Sequence, residues 1–147
     1  MSEYSQGKFN PTNKDKYKGT YPIVYRSSWE LMLMQYLDRC IACISWGSES
    51  CIVRYISPID KIVHRYFIDF TATFKDKSGV LQKFYIEVKP KCELSIPVKG
   101  PRMKEITFVN RYKTYLVNSA KWKAATEFAK TKGAKFIILT EDQLFRQ

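Results

Sequence analysis

The stretch RYFIDFTATFKDKSGVLQKFYIEVKP, residues 65–90, contains two apolar runs separated by turn-forming residues, and it decides the fold. Its alternation of apolar and polar residues predicts two strands, about 65–74 and 80–89, joined as an antiparallel hairpin. Asp69 interrupts the first run and Glu87 interrupts the second. Because burial of a lone carboxylate is costly unless the group is paired, protonated or bound to a metal, these two residues require an explanation.

The alternation gives this hairpin one apolar face and one polar face. A turn centred on Lys77 places Asp69 opposite Tyr85, with Glu87 as its diagonal neighbour about 7–8 Å away. Lys89 follows Glu87 on the same face, so one polar surface patch is predicted to carry two carboxylates and an ammonium group. The apolar face of the first strand is predicted to consist of Tyr66, Ile68, Phe70, Ala72 and Phe74.

Asp69, Glu87 and Lys89 suit the metal-assisted hydrolysis of a phosphodiester. Two carboxylates on adjacent strands can bind Mg²⁺ and leave positions for water and a phosphate oxygen. The metal lowers the pKa of its bound water and offsets charge on the phosphate, while a neighbouring lysine stabilises the pentacovalent phosphate or positions the attacking water. On geometry alone, a surface ion cluster explains the same three residues about as well.

Composition and charge favour one globular domain with a polyanionic partner. The chain has 147 residues and a formal charge of +11, a surplus that favours nucleic acid before an anionic membrane. Residues 27–88 hold equal numbers of basic and acidic residues, whereas residues 1–26 and 89–147 are both basic. The sequence has no apolar stretch of membrane-spanning length and no signal-peptide core at its N-terminus. Its four cysteines are therefore expected to be free thiols in a reducing compartment.

The remaining sequence predicts a mixed sheet with packed helices, in the order α-β-β-β-β-α-α-β. The prediction divides the chain into a basic N-terminal arm, residues 1–26, and a single domain, residues 27–147. Within the domain we predict a helix that begins at Ser27, short strands at 44–46 and 51–56, the hairpin, a loop at 90–103, helices at 104–118 and 119–133, and a final strand.

Three motifs resemble the PD-(D/E)xK, restriction-endonuclease-like nucleases of the TnsA N-terminal type. They are YRSSWE with Glu30, HRYFIDF with Asp69, and YIEVKP with Glu87 and Lys89. The arm residues GKF, PTN and KYKG, which lead into YRSSWE, are similar to the small head-completion nucleases of T-even-like phages, and this similarity extends over most of the chain. One departure is Ile68, which stands where the family usually has proline.

The resemblance implies a restriction-endonuclease-like mixed β-sheet core with helices on both faces. It implies Asp69 and Glu87 as metal ligands, Lys89 as the catalytic lysine and Glu30 as a further acidic member of the site. The implied cofactor is Mg²⁺, with Mn²⁺ as a substitute. Glu30 has a second interpretation, because Ser27-Ser28-Trp29-Glu30 is also a capping box in which Glu30 accepts from the Ser27 backbone N–H.

The implied function is a DNA endonuclease that acts on packaged phage DNA or its ends before tail joining. The expected partners are double-stranded DNA and the portal or neck proteins, with no membrane, and the expected location is the host cytoplasm or the virion. Two alternatives stay open: a non-enzymatic head-completion or DNA-binding component, and a transposon-type or junction-resolving nuclease. The residues expected to contact DNA are Lys18, Arg26, Arg65, Lys91, Lys99, Arg102 and Lys104.

Overall fold

The computed structural model describes residues 6–144, so the first five residues of the predicted arm and the last three of the predicted domain lie outside the described part. The elements in chain order are β1 (Gly7–Phe9), β2 (Ile23–Tyr25), α1 (Ser28–Arg39), β3 (Cys43–Ile56), β4 (Val63–Lys75), β5 (Leu81–Val88), α2 (Glu105–Thr131), β6 (Lys135–Leu139) and α3 (Glu141–Leu144), with 3-10 turns at Lys14–Lys16 and Lys91–Leu94.

A four-stranded mixed sheet forms the centre of the molecule. Its strand order is β3-β4-β5-β6, in which β3, β4 and β5 are antiparallel neighbours and β6 pairs parallel to β5. A parallel pair requires a crossover connection, and the long helix α2 supplies it between β5 and β6. This architecture confirms the predicted mixed α/β fold.

Helices cover both faces of the sheet, as predicted. On one face Leu33, Met34 and Leu37 of α1 pack with Phe70 and Ile86. The other face carries a second apolar cluster, in which residues of α2 pack on strand residues; its buried members are Val53, Tyr55, Tyr66, Ile68, Tyr85, Ala125 and Ala129. Successive residues of β5 alternate between the two clusters, as the pleat of a strand requires.

The N-terminal segment packs against the first face of the sheet. Its strands β1 and β2 form a small antiparallel pair, and Tyr17 and Ile23 are buried in the cluster that contains α1. Asp38 fixes the segment to α1, because its carboxylate accepts hydrogen bonds from the backbone N–H groups of Thr12 and Asn13, both at 2.9 Å. The described part of the arm forms no α-helix, as expected, but it folds back on itself instead of extending, and the division of the chain into arm and nuclease domain stays a prediction.

Two predictions of chain breaks were wrong. A single bulged strand, β3, replaces the two predicted strands, since irregular pairing at residues 43–45 and 48–51 is absorbed by bulges. Likewise α2 is one helix: Ser119, where the second helix was predicted to begin, lies inside it, and its hydroxyl donates to the Tyr115 carbonyl at 2.9 Å. Among residues 6–144, neither this helix nor any other is long and apolar enough to cross a bilayer.

The predicted end of α2 at Gly133 is confirmed. Gly133 has a φ of +64°, and Ala134 N–H donates to the Ala129 carbonyl at 2.9 Å, which is the hydrogen-bonding pattern of a Schellman motif. A residue without a Cβ adopts this left-handed conformation at little cost. The chain therefore leaves α2 sharply and enters β6 beside β5.

The register predicted for the central hairpin was wrong by two residues. The observed pairs are Thr71 with Tyr85 and Phe70 with Ile86, because Lys75 pairs with Leu81 and the turn is centred on Ser78, one residue beyond the predicted centre at Lys77. The Asp76 carboxylate stabilises this loop by accepting hydrogen bonds from Ser78 and from Val80 N–H. A shift of two residues does not by itself move a side chain to the other face, so within the paired part of the hairpin, from Phe70 to Ile86, only the cross-strand partners changed.

Candidate active site

The candidate site lies where β4 and β5 stop pairing. Their last paired residues are Phe70 and Ile86, and Asp69 and Glu87 come next on the two strands. At this point the Val88 N–H donates to Asp69 Oδ2 at 3.0 Å. The Asp69 carboxylate thus binds a backbone donor beyond the end of the sheet ladder and lies next to Glu87, not opposite Tyr85 as predicted.

The apolar alternation of β4 reverses at Asp69. Tyr66 and Ile68 belong to the cluster with α2, whereas Phe70 and Ala72 belong to the cluster with α1. The prediction that these residues share one face was therefore wrong. The bulge in β3, in which Ser48 pairs with Phe70 but Cys51 pairs with Ile68, accompanies the reversal. Such irregularities locally re-aim side chains, and here they lie beside the predicted metal ligand.

Glu87 is buried, in contrast to the predicted polar surface patch. Its side chain is only 6% exposed, and Glu87 Oε2 accepts a short hydrogen bond from the Tyr66 hydroxyl. Lys121 of α2 lies over the same region, with Nζ 5.5 Å from the ring centroid of Tyr66 and 5.8 Å from that of Tyr55. Glu87 is thus held from the α2 side by a hydroxyl donor and faces the positive charge of Lys121.

The Asp69 and Glu87 carboxyl groups are within hydrogen-bonding reach of each other. Burial raises the pKa of Asp69 from 3.8 to about 8, the negative charge of Glu87 adds to this effect, and the Val88 N–H opposes it. Burial also raises the pKa of Glu87, against the Tyr66 hydrogen bond and the charge of Lys89. Without a metal, the pair therefore binds a proton, or another cation, more readily than exposed carboxylates do.

Lys89 follows Glu87 as the strand leaves the sheet. It is half-buried, and its backbone N–H donates to the Leu139 carbonyl of β6 at 3.0 Å. Its ammonium group lowers the pKa of both Asp69 and Glu87, which places its charge close to both carboxylates. The structure thus brings together the three residues that the sequence analysis grouped.

Glu30 also lies near this pair, at the start of α1. Ser27 caps the helix by accepting from Glu30 N–H at 3.1 Å, while Glu30 Oε1 accepts from Arg26 N–H at 3.1 Å. The capping box is therefore only half as predicted, since the return bond goes to Arg26 and not to Ser27. Burial raises the pKa of Glu30, and the charge of Asp69 contributes to that shift, so Glu30 combines a capping role with proximity to the site.

The residues predicted to contact DNA all have exposed side chains. Arg26 is exposed and forms an ion pair with Glu49. Its hydrogen bond to Glu49 raises the pKa of Arg26, and the negative charges of Glu30 and Asp69 contribute to this shift. Lys91 is held by α3, with its N–H 2.7 Å from Glu141 Oε1 and its Nζ 3.1 Å from Asp142 Oδ2. The remaining residues have exposed side chains, and their contact with DNA stays a prediction: Lys18, Arg65, Lys99, Arg102 and Lys104.

The donor set fits a divalent cation of the oxygen-binding type. Two adjacent carboxylates with raised pKa values provide hard oxygen ligands and a local excess of negative charge. Within residues 6–144 no cluster of three or more His, Cys, Asp or Glu side chains is close enough together to form a complete metal cage. Asp69 and Glu87 would therefore hold a metal that keeps positions for water and substrate.

Comparison with known proteins agrees with this geometry. Residues 41–141 match the family described as TnsA-like endonuclease N terminal. The head completion nuclease of Enterobacteria phage T4 is 42% identical over 142 residues, which cover 94% of this chain and 92% of that protein. The chain belongs to the TnsA-like endonuclease family. No solved structure gives a significant match to this TnsA-like endonuclease. Nucleases of this kind act on DNA and generally use divalent metal ions.

Sequence analysis missed two residues of this TnsA-like endonuclease that touch or face the carboxylate pair. Tyr66 was assigned to the apolar face of the hairpin, yet its hydroxyl donates to Glu87. Lys121 was one of many helix lysines, and only the packing of α2 on the sheet brings it to Tyr66. The available signal for Tyr66 was its place in the strand of Asp69 and its polar tip, since a buried tyrosine hydroxyl normally finds a partner.

Proposed function

We propose that this TnsA-like endonuclease hydrolyses DNA phosphodiester bonds with Mg²⁺ bound by Asp69 and Glu87. The observation that carries the proposal is the pair of adjacent carboxylates beside Lys89 at the end of the β4–β5 ladder, in which Glu87 is buried and Asp69 is half-buried. Oxygen ligands are those that Mg²⁺ prefers, and Mn²⁺ accepts the same set. When bound, the metal supplies an activated water and offsets charge on the phosphate oxygens.

Side chains of the protein would orient the metal ligands, stabilise the charge of the transition state and accept a proton. Tyr66 and the Val88 N–H fix the orientations of the Glu87 and Asp69 carboxylates. Lys89 places a positive charge where the scissile phosphate gains negative charge, which stabilises the transition state more than the ground state. Glu30 remains hydrogen-bonded to Arg26 N–H and adds a carboxylate near the site that can accept a proton from a water molecule.

We further propose a role in phage head completion, because the T4 relative bears that name and matches nearly the whole chain. The substrate would be packaged DNA or its ends, cut before the tail joins the head. The protein would then act in the host cytoplasm or on the virion, near the portal or neck proteins. The net charge of +11 supports recruitment by the DNA phosphates.

Cleavage of supercoiled and linear DNA by the purified protein tests this proposal. We expect cleavage with Mg²⁺ or Mn²⁺ and none with EDTA. Glu87→Gln is the matched control, because it removes a charge while keeping the shape of the side chain. Cleavage that persists in EDTA, or that is equal in parent and Glu87→Gln proteins, would exclude the proposed site.

A further inference from the structure

The outer end of the β3–β4 pair carries an apolar surface that nothing in residues 6–144 covers. Strands β3 and β4 continue past the end of β5, and one side of this extension packs on α2 through Val53, Tyr55 and Tyr66. The opposite side carries large exposed side chains that we call the ribbon patch. Its members are Ile52, Ile56, Ile59, Ile62, Val63 and Phe67, each at least 43% exposed.

The ribbon patch is contiguous, since its strand residues are cross-strand partners. Ile52 pairs with Phe67 and Ile56 pairs with Val63, while the connection between the strands contributes the other two isoleucines. Directly opposed residues have Cβ atoms about 4.5–5.5 Å apart, so these side chains form a single surface. Contiguous apolar surfaces of this kind mark interaction sites in soluble proteins more often than scattered apolar residues do.

Two arginines lie in the middle of the ribbon patch. Arg54 and Arg65 are directly opposed between the two apolar pairs, and both are exposed. The Arg65 guanidinium lies over the Phe67 ring, 5.6 Å from its centroid. Like charges placed directly opposite each other are destabilising, and among residues 6–144 neither arginine forms an ion pair. A carboxylate supplied from outside would relieve this repulsion.

The chemistry of the ribbon patch discriminates between possible occupants. A second copy would bring four guanidinium groups together across a two-fold axis, on chains that each carry +11. DNA would place charged phosphates against six apolar side chains, with which they make no favourable contact, and would pair with only two cations. A protein surface with apolar side chains around one or two carboxylates matches both features, and aromatic and arginine residues are enriched at such interfaces.

We propose that the ribbon patch docks this endonuclease on a protein of the filled phage head whose surface is apolar and bears carboxylates. This inference rests on the proposed role in head completion. Phe67 lies two positions before Asp69 on β4, so the docking surface leads directly to the candidate active site. A head protein bound there would hold the carboxylate pair next to the DNA that leaves or enters the head.

Two variants alter the ribbon patch without touching the active site or the residues predicted to contact DNA. The double variant Ile56→Ser with Val63→Ser removes apolar surface, and the single variant Arg54→Glu reverses one charge. Their matched controls are Ile41→Ser with Val80→Ser, at residues 97% and 54% exposed, and Lys75→Glu, which make the same kinds of change elsewhere on the surface. All six positions are exposed, so the fold should be retained.

The experiment measures co-sedimentation of each protein with DNA-filled heads that lack it, after treatment of the heads with a nonspecific nuclease to remove exposed DNA. Cleavage of naked DNA is measured in parallel. We expect both ribbon variants to cleave naked DNA like the parent and to lose about tenfold or more of their retention on heads. Both control variants should keep cleavage and retention.

Four results would overturn the inference. The first two are that the parent is not retained on heads, or that the ribbon variants are retained as well as the parent. The third is that the ribbon variants lose affinity for naked DNA in proportion to their loss of retention. The fourth is that the parent is a dimer in analytical ultracentrifugation and the ribbon variants are monomers. Failure of the nuclease proposal is distinguishable from failure of this inference. If the parent docks through the ribbon patch but cleaves no DNA, only the proposed reaction is contradicted.

Discussion

Two regions of this molecule bury carboxylates, and they treat them in opposite ways. Asp38, which is 2% exposed, accepts backbone N–H groups of Thr12 and Asn13 on its two oxygens. Glu87, which is 6% exposed, receives the Tyr66 hydroxyl but lies against a second carboxylate, that of Asp69. The first region satisfies a single charge with donors, whereas the second concentrates charge of one sign.

The difference separates a structural carboxylate from a functional pair. Donors at Asp38 stabilise the folded chain by joining the N-terminal segment to α1. At the pair, burial raises both pKa values and the charge of Glu87 raises that of Asp69 further, so the ionised pair disfavours the folded state until a cation binds. We therefore expect substitutions at Asp38 to reduce stability and substitutions at the pair to reduce activity.

The largest effect is expected from removal of the pair. Asp69→Asn and Glu87→Gln should each reduce DNA cleavage by about 10³-fold or more, because each removes a charged metal ligand. Thermal unfolding of both variants should remain cooperative. Single-turnover kinetics measure the cleavage rate, and circular dichroism melting measures thermal stability. If the variants lose activity because they are unfolded at the assay temperature, the pair has a structural role.

Lys89→Ala should have the next largest effect, a loss of about 10²-fold in single-turnover cleavage. Metal binding and DNA affinity should persist, because the lysine acts mainly on the reacting phosphate. Lys89→Arg should not restore the rate, since a planar guanidinium neither donates from the same point nor gives up a proton. Equal rates in the parent and both variants would show that Lys89 forms only a surface ion pair.

Asp38→Ala should instead cost about 2 kcal/mol of unfolding free energy, since it leaves the Thr12 and Asn13 N–H groups without their acceptor. Urea denaturation measures this loss. Cleavage at a temperature where the variant stays folded should equal that of the parent. A large loss of activity in fully folded Asp38→Ala protein would contradict the assignment of Asp38 to stability alone.

Divalent metal should stabilise the chain only through the pair. At a Mg²⁺ concentration about ten times the dissociation constant, the parent should gain about 1.4 kcal/mol of unfolding free energy. Asp38→Ala should gain the same amount, whereas the Asp69→Asn, Glu87→Gln double variant should gain none. Melting temperatures with and without Mg²⁺ give the comparison, and equal gains in all three proteins would place the metal elsewhere.

A last effect concerns the pH dependence of the metal-free protein. The pKa of Asp69 is raised to about 8 in the folded chain, so the folded state keeps a proton that the unfolded state releases near pH 4. Its contribution to stability is present below about pH 4 and is lost as the pH rises to about 8. Asp69→Asn should therefore gain stability relative to the parent between pH 5 and pH 8 in EDTA, and parallel curves would contradict the raised pKa.

The sequence was sufficient for features that depend on local pattern. The strands around Asp69 and Glu87, the N-cap Ser27 and the C-terminal Gly133 of α2 were predicted correctly, because alternation and capping act over a few residues. The alternation of β5 was predicted correctly despite the register error, since the shift was an even number of residues. The grouping of Glu87 with Lys89 followed from that alternation, whereas the reversal of β4 at Asp69 was not predicted.

Features that depend on distant contacts were not predictable in this way. The burial of Glu87 depends on Tyr66 and on α2, and the fixed position of the arm depends on Asp38 of α1. Similarly, the cap-forming residue Ser119 lies inside a continuous helix, because α2 spans the whole sheet and neither proline nor glycine interrupts it. Propensity is a weak signal where tertiary packing decides.

The hydrogen bond from Lys89 N–H to the Leu139 carbonyl has a consequence for synthesis on the ribosome. The two carboxylates belong to one hairpin that can form early, but the backbone of Lys89 is fixed by β6, which the chain reaches only after the whole of α2. Parallel pairing of this kind forms late because a long loop must close first. A nascent chain therefore carries the carboxylate pair well before the backbone of Lys89 is fixed beside it, so the three residues come together only when translation is nearly complete.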